Sequence, residues 1–245
     1  MSVLDRPLWT SLTGPHAHLA QGDGPARRYR PEINHFIGWQ DESPASLAAA
    51  AALVAPGEQV YSGQAGSLPD LPGLTTVLRR PGVQMIYAGA PPATGDAGDL
   101  VELGEADSAD MLALARLTQP GPFEVETWRM GRFLGVRRAG RLVAMAGQRM
   151  HPPGFVELSG VCTHPDARGE GLATRLTNHV TRIILEGGKT PFLHAWADNA
   201  GAIALYGRLG YRLWREIGVA VFERRHTGVR AEEGPFHADR REDPR

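Results

Sequence analysis

The sequence contains one cysteine, Cys162, and no long apolar run among its 245 residues. A single cysteine cannot form an internal disulfide or a cysteine-rich metal site, and it suits a reducing compartment. A membrane-spanning helix needs about 20 consecutive apolar residues, and the N-terminus lacks the apolar segment of a signal peptide. We therefore expect a cytoplasmic protein that binds no metal and does not act at a membrane.

The chain also lacks an excess of either charge. Its formal net charge is -1 at pH 7, with a pI near 6.8. Proteins that bind nucleic acid or acidic lipid present a basic surface, so neither partner is expected. Hydrophobic residues make up 42% of the chain, which is enough for the core of one large domain or of two small ones.

Composition divides the chain into three parts. Residues 90–98 consist mainly of small residues, proline and glycine without an apolar period, which is typical of a linker. Residues 1–98 are therefore predicted to form a small α+β unit that ends in this linker, and residues 99–225 to form the main domain. The polar and highly charged residues 226–245 can bury little surface, so this tail is predicted to be disordered.

Local patterns predict the secondary structure of both units. The first unit is predicted to contain a helix, Leu47–Val54, that is capped from Ser43. It is also predicted to contain two strands, Glu58–Ser62 and Val83–Tyr87. The second unit is predicted to begin with strand Leu100–Leu103, helix Asp107–Leu117, a short helix at Val125–Met130, and strands Phe133–Arg138, Leu142–Met150 and Phe155–Thr163. It is predicted to end with a hairpin of strands Tyr211–Trp214 and Val219–Phe222.

A glycine-rich turn follows the strand Phe155–Thr163 and opens a helix. Apolar residues recur at helical spacing after the turn, at Leu172, Leu176, Val180, Ile183 and Ile184. Glycine lets the backbone approach a ligand closely, and the first turn of a helix offers unpaired N–H groups and the positive end of the helix dipole. The pattern predicts a phosphate-binding loop.

The spacing of the glycines indicates which phosphate is bound. Gly169-x-Gly171-x-x-Thr174 lacks the third glycine of a dinucleotide-binding fingerprint. Residues 187–190 end like a P-loop, but they follow a helix and precede a strand, so a helix C-cap fits them better. Residues 168–173, Arg-Gly-Glu-Gly-Leu-Ala, fit Arg/Gln-x-x-Gly-x-Gly/Ala. This stretch resembles the pyrophosphate loop of the GNAT acyltransferase superfamily.

A second stretch supports the resemblance. Residues 192–196 read as a strand, and the helix after them is capped by Asp198 or Asn199 and stopped by Gly210. Residues 199–211 are similar to the second hallmark of the same superfamily, Asn-x-x-Ala-x-x-Leu-Tyr-x-x-Leu-Gly-Tyr. The resemblance implies an α/β (α+β) fold with a mixed, mostly antiparallel sheet flanked by helices, beside the smaller N-terminal unit.

The function implied by the resemblance is N-acetyl transfer. The enzyme would move an acyl group, with acetyl expected, from acyl-CoA to a primary amine of a small molecule, amino acid or peptide by direct transfer. Acetyl-CoA would be the co-substrate, and no metal would take part. The alternative is a non-catalytic module that binds or senses acyl-CoA. The sequence leaves open the acceptor, the acyl length and the oligomeric state.

The resemblance also assigns residues that bind the cofactor. The expected set is Val161, Cys162, Thr163, Arg168, Gly169, Glu170, Gly171, Leu172, Ala173, Thr174 and Asn199. Val161 and Thr163 would bind the pantetheine arm through their main chain, and Arg168 would add a charge-assisted contact to the pyrophosphate. Asn199 would either contact the same arm or cap its helix.

Two catalytic residues are expected. Glu157 lies on the strand before the loop, where the superfamily often carries a base, and would act on the amine directly or through water. The other interpretation of Glu157 is a carboxylate on a solvated strand face. Tyr206 occupies the tyrosine of the second motif, which in the superfamily donates a proton to the departing CoA sulfur; alternatively, its ring packs on the helix stripe.

A cysteine nucleophile is the competing mechanism. Cys162 and His164 are two residues apart, and such residues share a face of a strand. However, His164 already lies at the turn and no orienting carboxylate is evident, so Cys162 is expected to be a small buried residue. His151 and His194 could face the acceptor, although a lone histidine at a strand end is more often structural.

Overall fold

The computed structural model describes residues 2–93 and 97–225. The tail that is predicted to be disordered, residues 226–245, lies outside the described residues. Across the two described ranges, no helix has the length and apolar character needed to span a membrane.

The described residues form five α-helices and eleven strands. The helices are α1 Pro7–Leu12, α2 Pro44–Ala52, α3 Ser108–Thr118, α4 Leu172–Glu186 and α5 Ala200–Arg208. The strands are β1 Ala20–Gln21, β2 Ala26–Tyr29, β3 Ile37–Trp39, β4 Gln59–Ala65, β5 Thr75–Tyr87, β6 Leu100–Leu103, β7 Phe133–Arg138, β8 Arg141–Gln148, β9 Phe155–Thr163, β10 Thr190–Trp196 and β11 Tyr211–Glu223. Short 3-10 helices occupy Ala17–Leu19, Glu105–Asp107, Thr127–Met130 and Pro165–Ala167.

Eight strands form one sheet in the order β4-β11-β5-β10-β9-β8-β7-β6. Neighbouring strands are antiparallel except β9 and β10, which are parallel. Strands β1, β2 and β3 form a separate small sheet in the N-terminal part. The prediction of a mixed, mostly antiparallel sheet with a smaller N-terminal unit is confirmed.

The N-terminal part also contributes to the large sheet. Strands β4 and β5 belong to residues 1–98, yet β5 pairs with β10 on one side and β11 on the other. Strand β4 pairs with the other edge of β11. The predicted boundary at residue 98 therefore runs between strands of one sheet.

The hairpin predicted at the C-terminal end of the sheet is wrong. Residues 211–223 form one continuous strand, because β4 and β5 provide hydrogen-bonding partners on both of its edges. The register shifts between Leu213 and Arg215, so Trp214 forms a bulge that breaks the alternation of side chains. The N–H of Gly218 then donates to the carbonyl of Gly66 at 2.8 Å, where a turn was expected.

The two faces of the large sheet are covered by different parts of the chain. One face packs against α4, whose Leu172, Leu176 and other apolar side chains contact Leu193 and its neighbours. The opposite face packs against the N-terminal segments, where Leu8 contacts the cluster that contains Phe192. We call the first the α4 face and the second the N-terminal face. Side chains of β9 and β10 alternate between them.

Candidate active site

A cavity opens where β9 and β10 separate. Their parallel pairing runs from Thr190 opposite Phe155 to Phe192 opposite Glu157, and no further pairing follows. Beyond that point the strands diverge and line a cavity of about 760 Å³. The walls come from β9, β10 and α5, from the loop at residues 119–123, and from the N-terminal part of the chain.

A bulge in β9 lies in the wall of this cavity. Met145 of β8 pairs with Cys162, and Gly147 pairs with Ser159, so two residues of β9 face one residue of β8. One of them, Gly160, has a φ of +62°, and a side chain there would meet the ring of Phe133 at 3.0 Å. A bulge leaves a backbone group without a ladder partner. This bulge was not predicted from the sequence, although a glycine inside a strand is its signal.

The glycine-rich loop has the shape expected of an anion site. Gly169 and Gly171 have φ values of +84° and +75°, and no heavy atom lies within 4 Å of the position that a Cβ would take at either. Helix α4 begins at Leu172, so its first-turn N–H groups point toward this open space. The carboxylate of Glu170 bonds Arg138 at 3.1 Å, and Arg168 is exposed beside the loop.

Tyr206 and Asn199 of the second motif both line the cavity. The Tyr206 hydroxyl has no hydrogen-bond partner among the described residues, and burial raises its pKa to about 12. The phenol therefore keeps its proton at neutral pH. The Asn199 side chain accepts a hydrogen bond from the N–H of Ala202 at 3.1 Å, so it caps α5.

Glu157 lies wholly buried behind the cavity wall. Its carboxylate receives Arg149 Nε at 2.8 Å and Nη2 at 2.7 Å, and its Oε1 lies 2.8 Å from Nδ1 of His194. Burial raises the pKa of Glu157, but the positive Arg149 and the hydrogen bonds from Arg149 and His194 lower it to about 2. Direct removal of a proton by Glu157 does not fit this geometry, because its oxygens are occupied and it has 0% exposure.

His194 connects Glu157 to the cavity. Its Nε2 lies 3.0 Å from the side-chain nitrogen of Gln84, which also donates to the carbonyl of Leu4 at 3.3 Å. Because the amide nitrogen only donates, Nε2 of the imidazole accepts and Nδ1 carries the proton that bonds Glu157. His194 lines the cavity. From the sequence, the other interpretation of His194 was a purely structural residue. The signal in the sequence was the position of His194 two residues after Phe192, which puts its side chain on the same face of the sheet as Glu157.

The cysteine mechanism does not fit the structure. The Cys162 side chain is buried in the core cluster with Met111 of α3, and burial raises the pKa of its thiol to about 11. A thiol of this kind is not ionised at neutral pH and is a poor nucleophile. His164 does not contact it, since its Nδ1 accepts a hydrogen bond from the N–H of Asp166 at 3.2 Å. His151 packs 4.5 Å from the ring of His16 and does not line the cavity.

The described residues contain no group of three or more His, Cys, Asp or Glu side chains that could hold a metal ion. The cavity is instead lined by a protonated phenol and a carboxylate-bound imidazole, and the glycine-rich loop follows the end of β9. The loop and Tyr206 are the positions that the sequence singled out, whereas His194 was one of two histidines that the sequence left open as facing the acceptor or as structural.

Comparisons with known proteins point to one family. The family model of FR47-like proteins matches residues 133–218. No curated protein matches the chain. A solved structure from Novosphingobium aromaticivorans, described as an acetyltransferase of the GNAT family, is 40% identical, with 91% of this chain and 99% of that chain covered and a TM-score of 0.85.

More distant structures share the fold. A GCN5-related N-acetyltransferase from Kribbella flavida is 18% identical, covering 91% of this chain and 96% of its own, with a TM-score of 0.59. A Drosophila protein is 19% identical, covering 81% of this chain and 74% of its own, with a TM-score of 0.57. The match to the Novosphingobium protein extends over nearly the full length of both chains. The chain therefore belongs to the GNAT family of acetyltransferases.

Proposed function

We propose that the protein is an N-acetyltransferase that moves the acetyl group of acetyl-CoA directly to a primary amine. The observation that carries the proposal is the cleft between β9 and β10, which has the anion loop at the end of β9 and Tyr206 in its wall. A thioester donor with a pyrophosphate fits these two features together. The loop binds the pyrophosphate, and the cleft holds the pantetheine arm against the unpaired edges of β9.

The amine must lose a proton before it attacks. We assign this step to His194, because its imidazole lines the cavity and the carboxylate of Glu157 stabilises the imidazolium that forms. Nε2 takes the proton from the ammonium as the Gln84 amide moves aside. Glu157 is then a positioning residue that acts through His194, whereas the sequence-based expectation was that it acts on the amine directly or through water.

Transfer then proceeds through a tetrahedral intermediate. The amine nitrogen bonds the thioester carbon, and a backbone N–H freed by the bulge at Gly160 stabilises the negative oxygen. The C–S bond breaks as the intermediate collapses, Tyr206 gives its proton to the thiolate, and the positively charged product nitrogen loses its extra proton to the resulting Tyr206 phenolate. The products are the acetylated amine and CoA, and no acyl-enzyme forms.

Cofactor binding and turnover are tested separately. We expect acetyl-CoA to bind with a Kd of about micromolar order in calorimetry, and free CoA thiol to appear when a panel of primary amines is added. His194→Gln removes the proton acceptor but retains a side chain that can bond Glu157, so turnover falls while acetyl-CoA binding is retained. Tight binding with no thiol release for any amine would instead support an acyl-CoA-binding or sensing module.

We place this activity in the cytoplasm, because the one cysteine is an unpaired thiol that suits a reducing compartment. The partners proposed are acetyl-CoA and an amine acceptor, without nucleic acid or membrane. Fractionation of the native host would test the location.

A further inference from the structure

The wall of the cavity on the N-terminal face carries positive charge only. Arg149 and Arg116 both line the cavity, and no aspartate or glutamate is among its described lining residues. Glu157 lies behind this wall with an exposure of 0%, so its charge does not reach the cavity directly. An acceptor with a second ammonium group would find no counter-ion here.

Arg149 is held rigidly with one donor group left free. One edge of its guanidinium, Nε and Nη2, is bound to Glu157, and its carbon atom Cζ lies 4.8 Å from the ring centre of Phe36. The remaining nitrogen, Nη1, has no acceptor among the described residues. It points toward the loop at residues 119–123, since a Cβ on Gly121 would lie 3.5 Å away. This nitrogen is a pre-organised donor for an anionic oxygen.

One carboxylate oxygen holds the guanidinium of Arg149 and the imidazole of His194 close together. Oε1 of Glu157 receives Nη2 of Arg149 at 2.7 Å and lies 2.8 Å from Nδ1 of His194. The guanidinium and the imidazole are thus within two hydrogen-bond lengths of each other. Because Nη1 and Nε2 are the outer nitrogens of these two neighbouring groups, a small acceptor whose amine and anionic group are a few bonds apart can contact both.

The rest of the wall on this face is largely apolar. It contains Phe36, Tyr61, Phe123, Ile217 and Val219. Phe36 is held at this place because it forms a bridge with Tyr61 at the edge of β4. Arg116, which is exposed and has no ion pair among the described residues, stands at the end of α3 where the cavity opens. Such a free cation attracts an anionic ligand to the opening.

We infer that the acceptor is an amino acid with an apolar side chain. Its α-carboxylate is bound by Nη1 of Arg149 and attracted by Arg116, its amine faces His194, and its side chain packs against the apolar wall. This inference rests on the proposed function for the role of the amine, and on the cavity alone for the carboxylate.

The substrate test uses matched compounds that differ in the carboxylate. Phenylalanine is compared with phenylalanine amide, with phenethylamine and with spermidine, by thiol release from acetyl-CoA and by calorimetric binding to the CoA-bound protein. We expect kcat/KM and affinity to be about 10-fold or more higher for the acid than for the amide, because a charged hydrogen bond is lost. The amine of the amide is less basic, so amine reactivity alone would favour the opposite order.

The variant test asks whether the two arginines cause the preference. Arg116→Gln should raise KM for phenylalanine by about 3-fold to 10-fold and leave KM for the amide unchanged. Arg149→Lys keeps a charge beside Glu157 but removes Nη1, so it should abolish most of the difference between acid and amide. Arg129→Gln is the control, since Arg129 is an exposed arginine that pairs with Glu126 outside the cavity. If Arg149→Lys does not fold, the KM of Arg116→Gln for phenylalanine and for the amide still tests the inference.

The outcomes separate this inference from the proposed function. Equal or better turnover of the amide or of spermidine would overturn the inference and leave acetyl transfer in place. Preferred binding of the acid without thiol release from any amine would support the inference and overturn acetyl transfer. Equal binding of acid and amide, without turnover, would overturn both.

Discussion

A buried carboxylate binds both an arginine and a histidine at the wall of the cavity. Glu157 has 0% exposure and is stable there only because Arg149 balances its charge. The same oxygen that bonds Arg149 orients His194. Substitution of Glu157 should therefore affect both stability and turnover, and the two effects can be measured apart.

Glu157→Gln should destabilise the protein by about 3–5 kcal/mol at pH 7, because it leaves the Arg149 guanidinium buried without a counter-charge. The pKa of Glu157 is lowered from 4.5 to about 2 in the folded protein. Its contribution is therefore fully present above about pH 4.5 and is lost as the pH falls toward about 2. Urea unfolding at pH 7 and pH 3 should show that the variant loses less stability on acidification than the wild-type protein. An identical loss of stability between pH 7 and pH 3 in both proteins would contradict the assignment of this loss to Glu157.

Tyr206→Phe removes only the hydroxyl and keeps the ring in the core. We expect turnover to fall about 10²-fold with the Kd of acetyl-CoA unchanged, as for a lost general acid. Since the pKa of Tyr206 is about 12, the wild-type enzyme should show no loss of activity from this group up to about pH 10. Unchanged turnover, with the chemical step shown to be rate-limiting, would make Tyr206 a packing residue.

The roles of single residues were predictable only where a motif fixes them. Tyr206 lies where the second motif places it and lines the cavity. Glu157 was identified as a carboxylate near the loop, but neither its burial nor its partners could be derived. They come from the antiparallel pairing of β8 with β9 and the parallel pairing of β10 with β9, which bring Arg149 and His194 to it.

At the scale of single elements, the loop before α4 is the proposed binding site of the donor pyrophosphate. Gly171 has a φ of +75°, and Gly188, at the other end of the helix, has a φ of +69°, with open space around both. A side chain at either position would therefore cause a similar backbone strain. They differ in that only Gly171 lies at the N-terminus, where the N–H groups and the dipole favour an anion.

Gly171→Glu should raise the Kd of acetyl-CoA at least about 100-fold, because the side chain blocks the loop and places a negative charge beside the pyrophosphate. Gly188→Glu is the matched control, with the same change of charge and nearly the same φ. Both variants should lose about 1 kcal/mol of stability, from backbone strain alone. Equal acetyl-CoA affinity in the two variants, measured by calorimetry, would show that the loop is not the binding site.

Strong local patterns fixed some elements and not others. The predicted bounds of Phe133–Arg138 and Phe155–Thr163 are those of β7 and β9, because each is a short run of strand-forming residues between turn residues. The sequence predicts two strands where the structure has β11, because the bulge at Trp214 interrupts the alternation of its side chains. A bulge and a turn look alike in sequence when the strands on either side are unknown.

At the scale of the whole molecule, the N-terminal part completes the large sheet. Strand β5 lies between β10 and β11, and Tyr61 and Phe36 form part of the cavity wall. The composition of residues 90–98 predicts a linker, but composition carries no information on which strands pair. Pairing over such a distance along the chain is set by the packing of both faces of the sheet.

A fragment of residues 99–225 should not fold. It lacks β5, so β10 and β11 would lose their common partner and expose buried residues such as Leu193 and Tyr211. Far-ultraviolet circular dichroism and urea titration should show no cooperative transition, whereas residues 2–225 should unfold cooperatively. A folded fragment that binds acetyl-CoA would show that the N-terminal part is an independent unit.

Direct transfer of the acetyl group is tested most directly in a single turnover. The enzyme is mixed with equimolar acetyl-CoA, the amine is added, and mass spectrometry follows the acetyl group on amine, CoA and protein. The expected result is an acetylated amine that appears at the same rate as free CoA thiol, with no acetyl group on the protein. Release of thiol without an acetylated amine, or an acetyl group found on Cys162 before the amine is added, would contradict it.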